Sequence, residues 1–266
     1  MLRSTKDLEN YAIGATDGDI GHVKDFYFDD KAWAVRYLVV ETGAWLSSRK
    51  VLISPIAIGE PNWSAKTLPV ALTREQVKNS PDIDTNKPVS RQHEMDYAGY
   101  YGYPYYWGGD GMWGGGSYPN MMLPGYEGFG SPTAARMESE NAFARSSASH
   151  DNEGDPHLRS SSEVDGYHIH ATDGDVGHVE GMLLDDKSWA VRYLVVNTSN
   201  WWVGHQVLIS PQWITEVSWS TSKVSVNVTR DAVKNSPVYN PKVEVDREHE
   251  KSLYRFHDRP GYWGTE

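Results

Sequence analysis

The chain has 266 residues, enough for one large domain or two small ones with separate cores. A formal net charge of −11, with no Lys/Arg cluster to offset it, repels phosphate backbones, so no nucleic-acid partner is expected. The absence of cysteine excludes disulfides, thiolate metal sites and a cysteine nucleophile.

The opening stretch "MLRSTKDLENY" shows no apolar h-region, and no run approaches ~20 apolar residues. A soluble, cytoplasmic protein without a transmembrane segment is the expectation. Trp (11) and Tyr (16) far outnumber Phe (5). Both bury area while keeping a polar handle, which suits strand-rich barrels and interaction surfaces alike.

The first landmark is "ATDGDIGHV", Ala15 to Val23. Read structurally, Asp17-Gly18 makes a tight hairpin turn: Gly18 takes a positive φ, Asp17 bonds its own backbone, and Gly21 marks a bulge or a close approach. The alternative is a hard-cation site, calcium for example, with Asp17 and Asp19 as oxygen ligands and His22 nearby. Two carboxylates on a short loop, without the bidentate Glu of an EF-hand, favour the turn. His22 as a general base lacks a nucleophile, so no catalytic residue is assigned and no enzyme is expected.

"HVKDFYFDD" reads as a strand ending in turn chemistry at Asp29-Asp30-Lys31. "WAVRYLVVET", from Trp33, is apolar on both faces and predicts a central strand. Its Arg36 calls for a buried partner, with Asp29 the nearest candidate. The loop "ETGAWLSSRK" carries Trp45 between charged and polar residues. "VLISPIAI" is a strand that Pro55 ends or bulges. Thr73-Arg-Glu-Gln76 fits a capping box that opens one short helix, and Asn79-Ser80-Pro81 stops it. Arg91-x-His93-Glu94 lacks the second histidine of a zinc-binding His-Glu-x-x-His and reads as a solvated charged segment.

From 99 to 164 the composition changes. The first half is dense in Gly, Tyr, Trp and Pro and the second is polar and Ser-rich, which predicts a linker, its second half flexible. "AARMESENAFARS" within it has the makings of a helical turn or two. Tyr106-Trp107 either packs back on its own domain or serves a partner, and Trp113 lies in the part freer to do the latter.

The chain then repeats itself. Ile169 matches Ile13, and 169 − 13 = 156; the same offset aligns Trp33 with Trp189, Trp45 with Trp201, "VLISP" with "VLISP", "VKNSP" with "VKNSP", and Tyr106-Trp107 with Tyr262-Trp263. About half the positions between Tyr11 and Glu94 equal their partners without a gap. The turn recurs with Gly174 and Gly177, and the alternative cation ligands with Asp173, Asp175 and His178. Thr229 keeps the helix cap, and Arg192 calls for Asp185 as Arg36 calls for Asp29. The expected organisation is therefore a first repeat at 1–98, a linker at 99–164 and a second repeat at 165–266.

A strand, "DGDIGHV", a strand ending in Asp-Asp, "AVRYLVVET" and "VLISP" together resemble the PRC-barrel domain, over Tyr11–Arg74 and again over Tyr167–Arg230. That family takes its name from the cytoplasmic barrel of the photosynthetic reaction centre H subunit and includes bacterial stand-alone proteins, which the helix and the Tyr/Trp/Gly tail resemble most. The resemblance implies an all-β fold of two small β-barrels, each with one short helix, and a docking module rather than a catalyst. The expected function is a non-enzymatic adaptor without a cofactor. Its partner is an unknown protein or another copy, and Trp45, Trp201, Trp202, Tyr106, Trp107 and Trp113 are the candidate contacts. Metal or small-ligand binding at the Asp/His turn and structural self-assembly are the alternatives.

Overall fold

The computed structural model describes residues 1–83, 89–107, 119, 157–198 and 205–263. Among them the chain forms fourteen strands in two sheets and six α-helices, a mainly β fold. It opens with β1 (Leu2–Ser4) and the one-turn α1 (Thr5–Leu8). The first repeat continues through β2 (Ala12–Ala15), β3 (Gly18–Asp29), β4 (Ala34–Thr42), β5 (Lys50–Ile53), β6 (Thr67–Pro69), α2 (Arg74–Lys78) and α3 (Arg91–Tyr101). The second opens with β7 (Leu158–Ser160) and α4 (Ser161–Val164). It continues through β8 (His168–Ala171), β9 (Gly174–Asp185), β10 (Val191–Asn197), β11 (Gln206–Ile209), β12 (Ile214–Ser218), β13 (Lys223–Val226), α5 (Arg230–Lys234), β14 (Val238–Tyr239) and α6 (Arg247–Phe256).

The sheet of the first repeat runs β5-β4-β3-β2-β6, with β7 also on β3. β4 lies between β3 and β5 and is buried on both faces, as its apolar sequence predicts. Ile13, Phe26, Phe28, Leu38, Val40, Ile53 and Leu68 are fully buried and form the core. Each such side chain stabilises the fold by about 1.5–3 kcal/mol. The twelve-residue β3 shifts register at Val23/Asp25 and at Tyr27/Phe28, bulges that bend it across the core. The sheet of the second repeat runs β12-β13-β8-β9-β10-β11-β14, with β1 also on β9.

Two expectations need correction. The sheets do not close into barrels among the described residues. In the first repeat the end strands β5 and β6 have only four and three residues, and Pro55 withholds the N–H that would extend the ladder past Ser54. Isolated bridges, Ile58 to Val70 and Asn62 to Thr67, join the chain after β5 to β6 and the residue that follows it. Nor does each repeat hold one short helix. α2 and α5 are the short ones, capped by Thr73 and Thr229, and the first carries the expected capping box. But α3 and α6 add eleven and ten residues, started by Ser90 and Asp246 accepting from the His93 and His249 amides at 3.1 and 2.8 Å. α3 carries little apolar stripe whereas α6 is strongly amphipathic, and in both a glutamate, Glu94 or Glu250, occupies the buried face.

Of the stretch 99–164, Gly99–Tyr101 end α3 and Leu158–Val164 form β7 and α4. The polar Ser-rich half up to 156, with its short helical candidate, lies outside the described residues.

The chain forms two compact units whose make-up crosses the repeats. One combines Met1–Lys6, Ser161–Asp186 and Val191–Glu266; the other combines Asp7–Ser160 and Lys187–Ala190. In the first of these units β1 pairs antiparallel with the end of β9, Arg3 opposite Leu184. In the other, β7 pairs antiparallel with the end of β3, Arg159 opposite Phe28. Leu-Arg-Ser occupies both 2–4 and 158–160, again 156 apart. Each repeat's opening strand therefore belongs to the sheet of the other repeat.

Candidate functional site

The repeated Asp-Gly turn connects β2 to β3. Gly18 and Gly174 have φ of +139° and +131°, values an L side chain rarely adopts. Three residues on, a Cβ at Gly21 would sit 2.0 Å from the Glu41 carbonyl oxygen, and one at Gly177 2.2 Å from that of Asn197. Glycine is needed there because the neighbouring strand passes so close. Asp17 Oδ1 accepts the backbone N–H of Arg74 at 2.8 Å, and Asp173 Oδ1 accepts that of Arg230 at 2.7 Å. Each turn thereby satisfies an orphan amide at the start of the short helix and holds helix and turn side by side.

Between them lies a cleft. In the first repeat it measures about 390 Å³ and is lined by Asp17, Trp45, Arg74, Glu75, Lys78 and Asn79. Trp45 is half-buried on a 3₁₀ turn, Ala44–Leu46, and its indole N–H donates to the Ile20 carbonyl at 2.7 Å. The Arg74 guanidinium stacks 4.3 Å from the centre of its ring. In the second repeat the cleft measures about 450 Å³ and takes Asp173, Arg230, Asp231, Lys234 and Asn235 at the equivalent positions, with Val176, Thr198 and His205. An aromatic wall, an arginine, a lysine and an asparagine amide together can hold an acidic group beside an apolar one.

The candidate contacts Tyr106 and Trp107 are elsewhere. The Tyr106 hydroxyl donates to Glu94 Oε1, whose other oxygen is 3.0 Å from Arg91. The Arg36 guanidinium lies 4.1 Å over the Tyr106 ring and pairs with Asp29 at 3.2 Å, the expected partner. Arg91 also lies 4.2 Å from the Trp107 ring. Glu94 has no exposed surface, so Arg91-x-His93-Glu94 is not a solvated segment: its glutamate is drawn inward by the arginine and the tyrosine. The second repeat repeats the arrangement, with Glu250 accepting from Tyr262 and Tyr193 at 2.8 Å each and pairing with Arg247 at 3.0 Å. Burial first, and the adjoining carboxylate second, push the Tyr37 hydroxyl well above its ordinary range, which keeps it protonated as a donor.

The remaining candidates are scattered. Asp19 and His22 are exposed on β3. Asp175 pairs with His170 at 2.6 Å, and this bond, foremost, holds its carboxyl below the usual range. His178 lies half-buried opposite His168. No group of three or more His, Asp or Glu side chains is placed to hold a metal ion among the described residues. Trp113, Trp201 and Trp202 lie outside the described residues. The residues that sequence reasoning missed are Arg74, Lys78 and Asn79. Their signal was present: "TREQVKNSP" and "TRDAVKNSP" keep all three while other helix positions change.

The family model of the PRC-barrel domain matches residues 4–62, which spans β2 to β5 and the Asp-Gly turn. Over these residues the chain is similar to the PRC-barrel domain. No curated protein matches the chain. No helix among the described residues is long and apolar enough to cross a membrane.

Proposed function

We propose that the chain is a non-enzymatic adaptor that docks a protein partner through the cleft between the Asp-Gly turn and the short helix. The observation that carries this reading is the recurrence of the same lining, Asp, Arg, an acidic residue, Lys and Asn, at positions 156 apart. The chemistry fits a partner segment that places a carboxylate against Arg74 and Lys78 and an apolar side chain against Trp45. Two such modules in one chain raise the effective concentration of the second contact once the first is made.

The test compares partners captured by the wild-type chain with those captured by Lys78→Glu/Lys234→Glu. Both lysines are exposed, so the variant keeps its melting temperature. A partner that binds the purified wild-type chain directly and the variant at least tenfold more weakly supports the reading. Equal binding by the two chains refutes it.

A further inference from the structure

We propose that the far ends of β3 and β9 are strand-acceptor sites for a Leu-Arg-Ser segment, and that a second copy of this chain supplies that segment in trans. The proposal stands apart from the docking cleft and shares no residue with it.

The two sites are built alike. At one, Leu2, Arg3 and Ser4 face Asp185, Leu184 and Leu183; at the other, Leu158, Arg159 and Ser160 face Asp29, Phe28 and Tyr27. At each the amide of the residue after the acceptor strand donates to the carbonyl before the Leu, Asp186 to Met1 at 3.0 Å and Asp30 to His157 at 2.9 Å. The same aspartates bind the donor's cations. Asp186 pairs with the Met1 amino group at 2.8 Å and lies 3.9 Å from Arg3; Asp30 pairs with His157 at 2.9 Å and lies 3.5 Å from Arg159. A hydroxyl is read as well: Ser160 Oγ donates to Asp25 Oδ2 at 2.6 Å, and Thr5 Oγ1 accepts from the Met182 amide at 3.3 Å. Each site thus recognises an extended backbone by its ladder and an arginine by a carboxylate, the features of strand addition.

The donors are interchangeable because the triplets are identical and both acceptor strands end in Asp-Asp, although Tyr27 and Phe28 of one stand where Leu183 and Leu184 stand in the other, and Asp25 where Gly181 does. Neither repeat uses its own opening strand. Local surface chemistry therefore does not distinguish a strand from the same chain from one on another copy; only the covalent tether does, through effective concentration. At high protein concentration, and whenever β1 or β7 detaches, strands from different copies exchange.

The chain has no cysteine, which permits a direct test. Full-length copies carrying Ser4→Cys and differently tagged full-length copies carrying Leu183→Cys are refolded together across a hundredfold range of concentration. Ser4 and Leu183 are cross-strand partners, at a separation a disulfide spans. We expect disulfides joining the two tags, rising with concentration and at least tenfold above copies refolded separately and then mixed. A yield no higher than in the separately refolded mixture overturns the proposal. Should Leu183→Cys fail to fold, Ser160→Cys with Tyr27→Cys poses the same question at the other site, with the same two outcomes.

Discussion

Gly21 and Gly177 lie where backbone passes over backbone, and Asp17 and Asp173 lie where a side chain replaces a missing helical hydrogen bond. These are different constraints, and substitutions separate them. Gly21→Ala must push the Glu41 carbonyl aside, and we expect it to cost about 3 kcal/mol in urea unfolding. Gly99→Ala, in α3 with nothing within 4 Å of the new carbon, should instead stabilise by up to about 1 kcal/mol. Asp17→Ala should cost about 1 kcal/mol by orphaning the Arg74 amide, and Asp17→Asn much less. The turn was legible in the sequence because Asp-Gly dipeptides announce their geometry. The cap was not, because Asp17 and Arg74 are 57 residues apart.

At the scale of elements, α3 and α6 are attached to their sheets by polar contacts as much as by apolar ones. Glu250 accepts two tyrosine hydroxyls and an arginine, so Glu250→Ala should destabilise the unit by about 3–5 kcal/mol, leaving Arg247 and the tyrosines without their anchor. Tyr262→Phe removes one of those bonds and should cost about 1 kcal/mol. His257, at the end of α6, contacts the Trp213 ring at 4.5 Å and Ser236 Oγ at 3.0 Å. Burial, and secondarily Arg259, lower its pKa from 6.5 to about 4. The unfolded chain therefore binds more protons than the folded one between those values, so this contribution is complete above pH 6.5 and is lost as pH falls toward 4. Thermal melts of wild type and His257→Gln between pH 7 and 4 should show a smaller loss in the variant. The helices α2 and α5 were readable from their caps. The buried face of α3 and α6 was not, since a pattern of apolar spacing does not mark a glutamate as the residue that turns inward.

At the scale of the molecule, the exchange of opening strands makes the N-terminus part of the unit built on the second repeat. Deleting Met1–Lys6 should therefore speed amide exchange along β9 and leave β3 unchanged, read by hydrogen-exchange mass spectrometry. A chain whose repeats each used their own opening strand would show the reverse.

The amino-acid order alone carried the self-similarity at an offset of 156, the central strands, the Asp-Gly turn and the capped short helices, because each rests on near neighbours or on matching residues at one offset. It could not say which sheet a Leu-Arg-Ser strand joins. Both triplets sit at the same repeat position, and three residues are too few to show periodicity. That choice, the inward turn of Glu94 and Glu250, and the gathering of Trp45, Arg74 and Lys78 around one cleft all depend on long-range packing. There the free energy of burying and pairing distant groups decides, and local sequence carries no record of it.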